Sequence, residues 1–156
     1  MWEKTHTEGA KVLQRLIDLP MPVVEVANGS ALVHSEYLLL ADIHIASEHA
    51  IYGDVLHPAF RLSGGDGLHV VWEEVAGTAR ATWLLWTGER IDAQIALQWG
   101  VVHEIVAHDW AVDRASRSPG ASPRSQLYRM LQSKRSTSTS AAGSSRTSPL
   151  AWRSKV

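Results

Sequence analysis

The stretch LLWTGERIDAQIALQWGVVHEIV, residues 84–106, decides the fold, because it sets a helix end, a capped helix and a strand in succession with a stop signal at each joint. Gly88 closes the apolar run TARATWLLWTG, whose spacing is helical. Asp92 stands where an N-cap carboxylate belongs, ahead of AQIALQW, and Gly100 ends that helix as Gly88 ends the one before. VVHEIV then reads as a strand, and DWAVDRA, residues 109–115, as the start of another helix.

Working back toward the N-terminus, LHVVWEEVAG at 68–77 is a further glycine-closed helix. DIHIAS at 42–47 alternates as a strand, and SEYLLLAD at 35–42 reads as a buried helix. PVVEVA is a short strand broken by Asn28-Gly29, a pair suited to a tight turn. THTEGAKVLQRLIDLP places Val12, Leu13, Leu16 and Ile17 on one helical face, and Pro20 stops it. Strands alternating with helices define an α/β architecture. Between Ile51 and Gly67 the chain is rich in Gly, Pro, Asp and His, the composition of a loop lining a cleft.

Bulk properties set the bounds. The 156 residues, 45% of them hydrophobic and 20% charged, suffice for one globular domain. There is no cysteine, which excludes disulfides, thiolate nucleophiles and cysteine-ligated zinc. No apolar run approaches the roughly 20 residues that span a bilayer, and MWEKTHTEGAK lacks a signal peptide's apolar core, so a cytoplasmic protein away from membranes is expected. The net charge of -1 hides a division, since all 16 acidic side chains and only 6 of the 15 basic ones precede Arg114. Residues 114–156 form a basic Ser/Arg-rich tail. Disorder, or sequence foreign to the fold such as a frameshift product, is the expectation there, ahead of a nucleic-acid arm.

Chemistry concentrates in GDVLHPAFRLSGGDGLHVVW, residues 53–72, where His57 and Asp66 lie across a glycine-rich turn. The residues alone fit either a base with its orienting carboxylate or a surface polar pair, and Asp66 also suits an N-cap. His69, a helical turn beyond Asp66, reads as structural. His44, His49, His103 and His108 show no recognised metal spacing, so neither a metal nor another cofactor is expected. Most of the seven tryptophans sit at helix-compatible positions suited to packing or subunit contact.

Three patterns in fixed order, PVVEVANG, then the block ending LLLADIHIAS, then Thr87-Gly88, Ile91-Asp92-Ala93, Ala96 and Gly100-Val101-Val102, resemble the crotonase, or enoyl-CoA hydratase/isomerase, superfamily. The likeness covers roughly residues 8 to 113. It implies an α/β, crotonase-like ββα superhelical core, active sites beside subunit contacts, and a homo-oligomer that is a trimer or a hexamer. It also implies a partial domain over 1–113, N-terminally incomplete, because the family's upstream strands deliver one of two oxyanion-binding N–H groups.

The departures carry the functional reading. The family's hydratases have a glycine-rich NGxAxGGGxEL segment, whereas NGSALVHSEYLL is one residue shorter and puts Val33-His34-Ser35 where glycines are usual, so a different backbone route is expected. Of the hydratases' two glutamates, Glu36 matches the first and His57 falls at the second. The shortened segment, His34 with Glu36, the His57 and Asp66 spacing and GDGLHVVW resemble the 6-oxocamphor hydrolase and β-diketone hydrolase branch, which cleaves carbon–carbon bonds by a retro-Claisen reaction. That likeness makes His57 the general base, Asp66 its partner and His34 a contact for a substrate carbonyl or the enolate. Histidine has the right basicity to take a proton from water at neutral pH. Two alternatives stay open: an acyl-CoA hydratase or isomerase, and an inactive truncated paralogue.

Overall fold

The computed structural model describes residues 2–118 apart from 63, 65 and 66. In chain order the elements are α1 (Trp2–Ile17), β1 (Val24–Ala27), β2 (Ser30–Ala31), α2 (Glu36–Leu39), β3 (Ile43–Ser47), β4 (Ile51–Gly53) and α3 (Leu56–Phe60), then α4 (Leu68–Ala76), α5 (Thr78–Thr87), β5 (Arg90–Asp92), α6 (Ala93–Trp99), β6 (Glu104–Val106) and α7 (Ala111–Ser116). Two small sheets result. One is parallel, in the order β1-β3-β6; in the other, β4 lies parallel to β2 and antiparallel to β5.

β3 sits between β1 and β6 and buries every residue from His44 to Ser47, which is what a central parallel strand covered on both faces requires. The core gathers Leu39, Tyr52, Leu68, Trp72, Leu84 and Ile91, so both sheets and α4–α6 share one apolar interior. Each such large side chain taken from water contributes about 1.5–3 kcal/mol. Asp92 caps α6 as its sequence position indicates, its Oδ1 accepting from Ile95 N–H at 2.8 Å. Gly88 and Gly100 close α5 and α6 in the left-handed conformation.

Two stretches differ from the expected elements. SEYLLLAD supplies only the single turn α2, because Asp42 redirects the chain: its carboxylate accepts from Val23 N–H at 2.8 Å and its own N–H donates to Val23 O at 2.9 Å. The segment read as a loop from Ile51 to Gly67 holds β4 and α3. No apolar period marks α3; a side chain starts it, since Asp54 Oδ1 accepts from the N–H groups of Leu56 and His57.

α7 runs across residue 113. Arg114 grips Glu104 of β6 with Nε and Nη2, at 3.0 and 2.6 Å, so the first residue of the basic segment is tied to the fold. Residues 119–156 lie outside the described residues. Among the described residues no helix is long and apolar enough to cross a membrane.

Candidate active site

β2 and β4 run parallel and in register, Ser30 beside Ile51 and Ala31 beside Tyr52, so the chain leaves both at the same end. Beyond that end Val55 N–H still bonds Leu32 O at 3.0 Å, and Ser35 Oγ reaches Gly53 O at 3.4 Å. Open α/β sheets bind ligands at the carboxyl ends of parallel strands. Two histidine–carboxylate pairs are built on the two exits.

After β4, His57 Nδ1 lies 2.8 Å from Asp54 Oδ2. Asp54 is 2% exposed and uses its other oxygen on the amides that start α3, so one carboxylate fixes both the helix and the ring. An ionised carboxylate only accepts, which puts the ring proton on Nδ1 and makes Nε2 the basic nitrogen of the neutral imidazole. His57 keeps 12% of its side chain exposed.

After β2, His34 Nδ1 lies 2.8 Å from Oε1 of the fully buried Glu36. His34 holds φ at 55°, a left-handed conformation uncommon outside glycine. The shortened turn therefore keeps a glycine-like backbone at a histidine. Tyr37 N–H donates to His34 O, the Tyr37 ring stacks on the imidazole at 5.1 Å, and Trp72 Nε1–H donates to Ser35 Oγ at 2.9 Å inside the core. These contacts hold a conformation that a free chain would seldom visit.

A cleft of about 370 Å³ opens beside His57, lined by Pro58, Arg61, Leu62, His69, Leu85 and Trp86. His69, read from sequence as structural, stands in this wall with Nδ1 3.1 Å from Gly64 O. His57 thus reaches the cleft, whereas His34 is not in its lining. Asp66 lies outside the described residues. Sequence reasoning missed Asp54, although the signal was present: an aspartate three residues before a histidine, at the start of a short helix, reaches both the helix amides and the ring. Among the described residues no group of three His, Asp or Glu side chains is arranged to hold a metal.

The profile of the enoyl-CoA hydratase/isomerase family matches residues 3–142. A β-diketone hydrolase from Anabaena, solved with (S)-3-oxocyclohexyl acetic acid, superposes with a TM-score of 0.76 at 35% identity, over 92% of this chain and 57% of that one. An enoyl-CoA hydratase from Mycobacterium tuberculosis superposes with a TM-score of 0.69 at 30% identity, over 80% of this chain and 56% of that one. In sequence, a probable enoyl-CoA hydratase of Mycobacterium avium is 34% identical over 112 residues, 69% of this chain and 43% of the relative. The chain thus spans about half the length of the relatives it matches.

Proposed function

The chain belongs to the enoyl-CoA hydratase/isomerase, or crotonase, family, and on that premise we propose that it hydrolyses a carbon–carbon bond of a β-diketone with water activated by His57. The observation that carries this is the 2.8 Å contact of His57 Nδ1 with the buried Asp54, in a histidine that borders an apolar-walled cleft. A ring held in one tautomer by a carboxylate is what a general base acting on water needs. The likeness to the Anabaena β-diketone hydrolase supports the choice of substrate class.

In the proposed reaction Nε2 of His57 takes a proton as water attacks one carbonyl of the diketone. The tetrahedral alkoxide collapses, the bond to the central carbon breaks, and its electron pair leaves as an enolate on the second carbonyl. Proton return from His57 to that carbon yields a ketone and a carboxylic acid, with one water consumed. Asp54 orients the imidazole, and Asp66 is assigned as the second carboxylate stabilising the imidazolium. His34, as the imidazolium paired with Glu36 and so bearing protons on both ring nitrogens, is assigned as donor to the enolate oxygen, and loss of such a donor costs about 3 kcal/mol of transition-state stabilisation.

The decay of β-diketone enol absorbance, with linear and cyclic substrates, tests the proposal. The full chain turns the substrate over and His57→Ala does not; a folded sample without turnover, or an unimpaired His57→Ala, overturns it. The names of several relatives favour a second reading, an acyl-CoA hydratase or isomerase. Calorimetry with crotonyl-CoA separates the two, because saturable thioester binding belongs to that reading alone.

A further inference from the structure

Arg61 is the one permanent cation in the described lining of the His57 cleft, and its side chain has no part in the chemistry proposed so far. It follows His57 by four residues, just past the end of α3, and both side chains line one cleft. Its backbone is pinned. Arg61 N–H donates to Pro58 O at 3.1 Å, Leu62 N–H donates to His57 O at 2.9 Å, and Arg61 itself sits at φ 52° as the left-handed cap of α3. That conformation favours glycine, and an arginine held there is a strained choice at a cleft. Among the described residues no hydrogen bond or ion pair engages the guanidinium. Its neighbours in the wall are Pro58, Leu62, Leu85 and Trp86, with the two histidines, and the nearby Asp54 is spent on His57 and the α3 amides.

Arg61 is exposed, and a planar fork of five donors that no described residue engages, beside apolar walls, suits a carboxylate. We propose that Arg61 binds a carboxylate of the ligand that His57 acts on. The inference rests on the hydrolase reading for what it calls substrate and product, though not for the binding itself. Two sources supply this chemistry: a carboxylate that the diketone already carries, and the one that cleavage creates.

Titration calorimetry of the full chain with levulinate, a keto acid, and its neutral methyl ester tests the site. The acid binds at least tenfold more tightly than the ester. Arg61→Gln removes that preference, Arg61→Lys restores part of it, and His57→Gln retains it; equal binding of acid and ester, or a preference that survives in Arg61→Gln, overturns the proposal. Turnover then separates the sources. A kcat/KM for succinylacetone well above that for acetylacetone, lost in Arg61→Gln, assigns the site to the substrate's own carboxylate. Equal values, with levulinate inhibition relieved in Arg61→Gln, assign it to the product. Acid-selective binding without any cleavage leaves the carboxylate site standing and removes the hydrolase, whereas cleavage without acid selectivity does the reverse.

Discussion

Asp54 joins structure to chemistry in one side chain, and its two oxygens can be separated by experiment. Asp54→Asn replaces an acceptor with an amide beside Nδ1 and disturbs the tautomer, so kcat for diketone cleavage falls by about a thousandfold. Because Oδ1 also starts α3, Asp54→Ala loses about 1 kcal/mol of stability as well by denaturant titration, whereas Asp54→Asn retains a capping oxygen and most of that stability. Asp66→Asn, if Asp66 serves the imidazolium alone, lowers kcat without that loss. A second residue test concerns Tyr52, which is fully buried and whose hydroxyl finds no partner among the described residues. Burial first, and the neighbouring Glu25 carboxylate second, push its phenol above the ordinary range. A raised folded-state value means that this contribution is complete below the unfolded value of about 10 and is lost as pH climbs beyond it. Tyr52→Phe is therefore as stable as the parent or more so at neutral pH, and it loses less stability above about pH 10, as thermal unfolding at several pH values will report.

At the scale of elements, α4 holds the turn between β2 and α2 through the Trp72 hydrogen bond to Ser35. Trp72→Phe keeps most of the packing and leaves the Ser35 hydroxyl only its long bond to Gly53 O, which costs about 1 kcal/mol and lowers turnover by loosening His34 and Glu36. The denaturation midpoint and kcat should move together; a drop in stability with unchanged kcat would detach this turn from the site. The longer helices and β3 were readable because apolar period, caps and stops agreed over several residues, as Asp92, Gly88 and Gly100 illustrate. β2, β4 and β5, of two or three residues each, hold too few positions to express a period, and their pairing is decided by partners far along the chain. α3 escaped for another reason, since its start depends on a side-chain oxygen at Asp54 and its end on a left-handed arginine. Candidate site residues stood out in the sequence where their type was unusual, as at His34, Glu36 and His57. Asp54 left only the faint signal of an aspartate three residues before a histidine, and Arg61 drew notice only through its neighbours in the cleft.

For the whole molecule, one core serves both sheets, so damage at a central position reaches the cleft. Leu84→Ala, at a fully buried site on α5, costs about 2–5 kcal/mol against a total of about 5–15 for a domain. Phe60, Leu62, Val70 and Trp86 remain at least half exposed on or beside α3, α4 and α5, and large apolar side chains left in water favour burial against a partner. Self-association is the expected outcome, and sedimentation equilibrium should report a species heavier than the monomer. The two chemistries open to the family part most sharply in a paired assay on one preparation, acetylacetone cleavage to acetate and acetone beside hydration of crotonyl-CoA. Diketone cleavage that His57→Ala abolishes, with no hydration of the thioester, is the expected result; hydration without diketone cleavage would overturn the hydrolase reading.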